Sequence, residues 1–87
     1  MPYEVRLSRR AAKQIVRLPE RHRARMVERL RALSEWPTSW LDVIPLKGNL
    51  KGCYRLRSGD YRALLTVLDE LQVIVVEQVE PRESVYD

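Results

Sequence analysis

The sequence has little of several residues on which common enzyme sites depend. It contains one cysteine, Cys53, one histidine, His22, and three glycines among 87 residues. One cysteine cannot form an internal disulfide, and with a single histidine it cannot complete a four-ligand zinc site. The scarcity of histidine and glycine also argues against a Ser-His-Asp triad, a P-loop and a Rossmann fingerprint. We therefore expect a reducing environment, no metal and no cofactor, with any chemistry carried by Arg, Lys, Tyr, Glu and Asp side chains.

Long hydrophobic runs are absent as well. The longest apolar run, Val73 to Val76, is far shorter than the roughly 20 residues of a membrane-spanning helix. Residues 1–6 carry no apolar stretch of the kind found in secretory signals. Because a chain of this length can build one small core, we expect a single domain over residues 1–87, located in the cytoplasm and without a membrane partner.

Basic residues outnumber acidic ones, 16 to 12, and they are concentrated at the start of the chain. Residues 1–35 contain ten basic and four acidic side chains, whereas residues 70–87 contain one and five. An uneven basic surface is typical of proteins that bind a polyanion such as nucleic acid. The same charges are also compatible with a solvated surface, so nucleic-acid binding is one of two interpretations of the pattern.

The hydrophobic pattern predicts a strand, two helices and three further strands. Ser8 is placed to cap the first helix, and Pro19 separates it from a second, arginine-rich helix. The predicted segments are a strand before Ser8, helices to about Leu18 and over about 20–35, a loop at 36–50, and strands at about 52–58, 61–69 and 71–79. We expect an α+β fold, β-α-α-β-β-β, in which a helical hairpin packs on a four-stranded, mainly antiparallel sheet.

The turn at Gly59-Asp60 determines which side chains share a face of the hairpin formed by the predicted strands at about 52–58 and 61–69. Gly59 suits the positive φ at the first central position of a type II′ turn, so these two residues form the whole loop. The resulting cross-strand pairs are Ser58 with Tyr61, Arg57 with Arg62, and Arg55 with Leu64. The three arginines then share one face, where their mutual repulsion is easier to understand if an anion binds between them. A three-residue loop would instead split the set, and the arginines would line a solvated strand.

Several segments resemble the RelE/ParE superfamily of bacterial toxin–antitoxin toxins. The resemblance rests on Leu46-Lys47-Gly48, on the hairpin from Cys53 to Arg62 and on the closing residues from Arg82 to Tyr86. It covers essentially the whole chain, and the hairpin and the tail are its most specific parts. It implies the RelE-like, microbial-ribonuclease type of fold.

The resemblance, taken in the RelE-like branch, also implies a function. Such a toxin is held silent by a RelB-like antitoxin encoded beside it. It enters the ribosomal A site and cleaves mRNA without a metal, by driving a 2′-hydroxyl against the adjacent phosphate, and so inhibits translation. The toxin–antitoxin complex is further expected to bind operator DNA through the antitoxin.

Individual residues match functional positions of the family. Arg62 corresponds to the hairpin arginine that contacts the scissile phosphate, and Arg82 to the tail arginine that stabilises its developing charge. Tyr86 corresponds to a tail tyrosine that helps to position the substrate. Arg55 and Arg57 fall where the best-known RelE enzymes have two lysines. Because arginine is effectively always protonated, neither can replace a lysine as general base.

General-base catalysis is then either done by another group or largely absent, with electrostatic stabilisation and positioning still available. The candidate proton acceptors are Glu77, Glu80, Glu83 and, more weakly, Tyr86. Glu80 stands where related toxins usually have glycine, close to Arg82, and is either a base or an ion-pair partner of that arginine.

Two other functions share many of these features. A ParE-like toxin has the same fold but binds and inhibits DNA gyrase, for which it needs no nuclease residues. A non-catalytic basic module would bind RNA or a partner without cleaving it. The presence of both Arg82 and Tyr86 favours the metal-independent endoribonuclease.

Overall fold

The computed structural model describes residues 2–38, 41–46 and 52–82. The elements are, in chain order, β1 (Glu4–Leu7), α1 (Arg9–Val16), α2 (Glu20–Ala32), a 3₁₀-helix (Leu33–Glu35), β2 (Val43–Pro45), β3 (Cys53–Ser58), β4 (Tyr61–Leu68), a second 3₁₀-helix (Asp69–Leu71) and β5 (Val73–Pro81). None of the described helices is long and apolar enough to cross a membrane.

Ser8 fixes both the start of α1 and the position of this helix on the sheet. Its Oγ accepts a hydrogen bond from the Ala11 N–H at 3.0 Å, which confirms the predicted helix cap. The same hydroxyl donates to the Glu77 carbonyl at 2.6 Å, and the Ser8 N–H donates to the Val76 carbonyl at 2.9 Å. The cap therefore joins α1 to β5.

The five strands form one mixed sheet in the order β1-β5-β4-β3-β2. β1 runs parallel to β5, and the remaining neighbours are antiparallel. The α+β class and the helical hairpin are confirmed, but the predicted count of four strands is wrong. The additional strand is β2, inside the stretch predicted as a loop, where Ile44 pairs with Arg55. Its three residues are too few to show a strand periodicity, and Pro45 is typical of a sheet edge.

Both described helices pack on the same face of the sheet and enclose the hydrophobic core. The helices contribute Ala11, Ile15, Met26 and Leu30, and the strands contribute Leu56, Ala63, Leu65, Ile74, Val76 and Val79. Burial of these apolar side chains is the main favourable contribution to folding of a domain of this size. The second face of the sheet carries Arg55, Arg57 and Arg62, and we call it the arginine face.

A β-bulge in β5 changes which of its side chains reach the arginine face. The register shift leaves Glu77 without a partner on β4, between the pairs Leu65–Val76 and Leu64–Gln78. Because side chains alternate along a strand, one extra residue reverses the alternation in the rest of β5. Glu80 consequently shares a face with Arg62, its partner on β4.

Candidate active site

The β3–β4 hairpin has the turn that the sequence predicts. Gly59 has a φ of +61°, and Asp60 is outside the positive region of φ, as a type II′ turn requires. The observed pairs are Ser58 with Tyr61, Arg57 with Arg62, and Arg55 with Leu64. The predicted register is confirmed, and it places the three hairpin arginines on one face.

A row of four charged residues crosses the arginine face. Arg62 on β4 pairs with Arg57 on β3 and with Glu80 on β5. The Arg57 N–H donates to the Asp42 carbonyl at 2.9 Å, so Asp42 occupies the next place, just before β2. The order across the sheet is Glu80, Arg62, Arg57 and Asp42. We call these four residues the charged row, in which two arginines lie between two carboxylates.

The two arginines of the charged row differ in their access to solvent. Arg62 is 3% exposed, whereas the side chain of Arg57 is 50% exposed. The Arg57 Nε lies 4.0 Å from the Asp42 Oδ2, at the outer edge of ion-pair contact. Burial holds Arg62 in place, and exposure leaves Arg57 able to move toward a ligand. A fixed and a movable arginine at paired positions of two strands offer two guanidinium groups to the oxygens of a phosphate.

The structure describes two of the three remaining predicted site residues, Arg82 and Arg55. Arg82 is exposed, and its N–H donates to the Asp60 carbonyl at 2.8 Å, which places it beside the hairpin turn near Arg57 and Arg62. Arg55 lies two residues along β3 from Arg57, opposite Leu64. The structure therefore brings four of the five predicted residues to one region. The fifth, Tyr86, lies outside the described residues, as do Glu83, Lys47 and Gly48.

Two of the three glutamates considered as proton acceptors lie in the described part of the chain, and both accept a hydrogen bond. Glu77 Oε2 accepts a hydrogen bond from the Thr66 hydroxyl, and Glu80 Oε1 accepts one from the Gln78 side-chain amide, both at 2.8 Å. Among residues that the structure describes, the ion pairs are Arg6–Glu4 and Arg57–Asp42. Glu80 thus does not form the ion pair with Arg82 that the sequence left open.

Helix α2 supports the hairpin from the core side. The ring of His22 lies 5.0 Å from that of Tyr61, and a guanidinium nitrogen of Arg25 lies 3.3 Å from where a Cβ would stand on Gly59. Tyr61 directly precedes Arg62, so these contacts fix the end of the hairpin that carries the charged row. Sequence reasoning gave His22 no structural role, because α2 has no pattern that separates this position from its exposed arginines.

Asp42 is the residue of the charged row that the sequence analysis missed. It lies in the stretch predicted as a loop, where nothing places a side chain relative to the hairpin. Recognition of Val43–Pro45 as a strand paired with β3 would have put Asp42 beside Arg57. Within the described ranges, no three His, Cys, Asp or Glu side chains are grouped to hold a metal ion.

The chain is similar to toxins of bacterial and archaeal toxin–antitoxin systems. Toxin RelG of Mycobacterium tuberculosis (strain ATCC 25618 / H37Rv) is 34% identical over 87 residues, which cover 99% of this chain and 98% of RelG. The fold superimposes on the toxin–antitoxin complex RelBE2 from Mycobacterium tuberculosis with a TM-score of 0.79 and 34% identity, over 94% of this chain and 100% of that one.

Two further solved structures agree with this similarity. The archaeal RelE–RelB complex from Pyrococcus horikoshii OT3 gives a TM-score of 0.77 at 33% identity, over 94% of this chain and 97% of that one. A mutant of E. coli toxin RelE in the free state gives 0.78 at 30% identity, over 98% and 88%. Residues 5–86 match the family described as ParE toxin of type II toxin-antitoxin system, parDE. This match over nearly the whole chain shows that the protein belongs to the ParE toxin family, within the RelE/ParE superfamily of type II toxins.

Proposed function

We propose that this toxin is a ribosome-dependent mRNA endonuclease that inhibits translation. The observation that carries the proposal is the pairing of Arg57 with Arg62 on the arginine face. Two arginines at paired positions suit the extra negative charge that a phosphodiester gains as a nucleophile attacks its phosphorus. Inhibition of gyrase does not by itself require two like charges to be placed opposite each other in a sheet, where they are destabilising.

The proposed reaction is attack of a ribose 2′-oxygen on the adjacent phosphorus. The bond from the 2′-oxygen to phosphorus forms as the bond from phosphorus to the departing 5′-oxygen breaks, and the products are a 2′,3′-cyclic phosphate and a 5′-hydroxyl. Arg62 binds the phosphate, Arg82 stabilises its developing charge, and Arg55 and Arg57 add positive charge. Because four cations surround the phosphate, the reaction can proceed without a metal ion. Tyr86 is assigned to substrate positioning on the family resemblance alone.

The distribution of charge supports a ribosomal partner. Residues 9–32, which span α1 and α2, carry nine basic and two acidic side chains. Attraction to phosphate groups of RNA rises with the number of such contacts and weakens with added salt. We infer that this helical surface contacts ribosomal RNA in the cytoplasm while the arginine face receives mRNA.

The second proposed partner is a RelB-like antitoxin. The similar structures include the RelBE2 complex and the archaeal RelE–RelB complex, in which a RelE toxin is bound to its antitoxin. We propose that an antitoxin encoded beside this chain silences it by bringing carboxylates to the arginine face, and that the complex binds operator DNA through the antitoxin. Copurification with the product of an adjacent small gene tests this. A recovered complex whose arginine face stays fully reactive to an arginine-modifying reagent would contradict it.

The function is tested by inducing the toxin without an antitoxin and mapping mRNA ends. We expect translation to stop and new 5′-ends to appear within translated messages, with both effects relieved by Arg62→Ala. Arg6→Ala is the control for loss of one arginine from the sheet. Arg6 lies on β1, where it pairs with Glu4 away from the charged row. Growth arrest with DNA damage and intact mRNA would instead support gyrase inhibition. A folded toxin that neither cuts mRNA nor damages DNA would support the non-catalytic module.

A further inference from the structure

The proposed cleavage needs a group that takes the proton of the attacking 2′-hydroxyl. Arg55 and Arg57 cannot take it, because a guanidinium keeps its proton at any physiological pH. A general base must also have a free lone pair within reach of the reacting group. Among the described residues of the arginine face this leaves carboxylates, which differ in their hydrogen bonds and in their distance from Arg57.

Three of these carboxylates already accept hydrogen bonds within the described part of the chain, although each keeps further lone pairs. Glu77 accepts a hydrogen bond from Thr66, and Glu80 accepts one from Gln78 while being half-buried. Glu4, on the outer strand β1, receives two hydrogen bonds from Arg6, at 2.8 and 3.2 Å. None of the three has a carboxylate both free of hydrogen bonds and next to the exposed arginine of the charged row.

Asp42 meets these requirements. Its side chain is 60% exposed, and its nearest charged partner in the described part of the chain is Arg57, with 4.0 Å between Nε and Oδ2. No side-chain hydrogen bond within the described ranges occupies its carboxylate oxygens. The hydrogen bond from the Arg57 N–H to the Asp42 carbonyl fixes its backbone at the end of the charged row. A phosphate bound by Arg57 and Arg62 would therefore lie one strand away, since neighbouring strands are about 4.8 Å apart.

We propose that Asp42 is the general base of the cleavage reaction, an inference that rests on the proposed nuclease function. The carboxylate takes the 2′-hydroxyl proton as the 2′-oxygen forms its bond to phosphorus. The bond to the 5′-oxygen breaks with its electron pair, and that oxygen takes a proton from solvent water. Arg57 binds the phosphate through its side chain, while its backbone N–H holds Asp42 at the end of the charged row.

The test is single-turnover cleavage of mRNA on ribosomes programmed with one defined codon. Asp42→Asn keeps the size and polarity of the side chain but removes the base, so we expect the rate to fall by about a hundredfold or more. Asp42→Glu should retain more activity than Asp42→Asn, and binding to the ribosome should be unchanged in both. Glu70→Gln, in the exposed turn before β5, is the control for loss of one carboxylate.

A double-mutant cycle separates a base from a residue that only positions Arg57. If Asp42 acts through Arg57 alone, Asp42→Asn will have no further effect in an Arg57→Gln background. If Asp42 accepts the proton, the loss will persist in that background. The cleavage rates of Glu77→Gln and Glu80→Gln are measured in the same assay. If Glu80→Gln lowers the rate and Asp42→Asn does not, Glu80 is the base.

Several results would overturn the proposal. Asp42→Asn with an unchanged or raised rate would show that the carboxylate is not the base and only restrains Arg57. A loss that disappears in the Arg57→Gln background would make Asp42 a positioning residue. If the unmodified chain does not cleave ribosome-bound mRNA at all, the nuclease function itself fails, and the role of Asp42 fails with it.

Discussion

Arg57 and Arg62 lie directly opposite each other in the β3–β4 ladder, a position in which like charges destabilise a sheet. A carboxylate stands beyond each of them, Asp42 beside Arg57 and Glu80 opposite Arg62. The carboxylates offset part of the repulsion between the two arginines. The opposed arginines of the charged row are therefore accompanied by carboxylates on both sides.

Removal of either proposed phosphate-binding arginine should abolish most of the activity. Loss of a group that stabilises the transition state costs about 3 kcal/mol, so Arg62→Ala and Arg82→Ala should each slow single-turnover cleavage by roughly a hundredfold. Arg62 is buried, so the melting temperature of Arg62→Ala must be measured to show that the variant is folded. Arg82 is exposed, and Arg82→Ala should melt at the same temperature as the unmodified toxin. Full toxicity in both variants would refute these assignments.

Arg55 and Arg57 should act by charge and not by proton transfer. Arg55→Lys and Arg57→Lys are expected to keep much of the cleavage rate, whereas Arg55→Gln and Arg57→Gln should lose it. The pH profile of the rate should show no titration that either arginine explains. A glutamine variant as active as the lysine variant would mean that the charge at that position is not needed.

Arg57→Gln should also stabilise the fold. Removing one of two opposed like charges in an antiparallel pair is expected to raise the free energy of unfolding by about 0.2–1 kcal/mol. Arg55→Gln is the matched control, because Arg55 lies opposite Leu64 and relieves no such repulsion. Urea unfolding of the three proteins measures the difference. Equal midpoints for both variants would show that Asp42 and Glu80 already cancel the repulsion.

The chemistry of the products provides an independent check. The 2′-oxygen is itself the nucleophile, so neither a water nucleophile nor a metal ion is needed. The upstream fragment should therefore end in a 2′,3′-cyclic phosphate. The rate should be unchanged when EDTA is added at a concentration that leaves the ribosomes intact. A 5′-phosphate on the downstream fragment would indicate metal-assisted hydrolysis and would overturn the mechanism while leaving the fold assignment in place.

Gly59 should be required for the geometry of the site. Its φ of +61° is strained for a residue with a Cβ, and Gly59→Ala should lower the free energy of unfolding by about 1–2 kcal/mol. The added methyl group would also displace Arg25, whose guanidinium lies 3.3 Å away. Asp60→Ala is the control, because φ of Asp60 is not positive and alanine fits there without strain. It tests whether any substitution in the turn lowers the free energy of unfolding. Equal urea midpoints for both variants would contradict the role of φ.

The sequence predicts the β3–β4 hairpin better than the rest of the site because the register of a hairpin depends on residues close together in the chain. Gly59 marks a two-residue turn, and a fixed turn determines every pair that follows it along the two strands. The positions of Arg55, Arg57 and Arg62 could therefore be counted from one residue. The cap at Ser8 is a signal of the same kind, since a side chain bonds to backbone three residues away.

The missed features depend on contacts between distant parts of the chain. β2 has three residues and becomes a strand because β3 is beside it, so Asp42 could not be placed without knowledge of that pairing. The bulge at Glu77 leaves no mark in the sequence, because it arises from the register between β4 and β5. The contact of His22 with Tyr61 likewise requires the packing angle of α2 on the sheet.

The bulge in β5 also determines where the chain tolerates a change in length. Deletion of Glu77 would convert β5 into a regular strand in which Val79 still faces the core and Glu80 still faces Arg62, at the cost of the hydrogen bonds that Glu77 accepts from Ser8 and Thr66. Deletion of Val79 would instead turn Glu80 toward the core and carry Arg82 one position out of place. A single-residue deletion should therefore preserve the facing of the side chains at one point of this strand and reverse it two residues later.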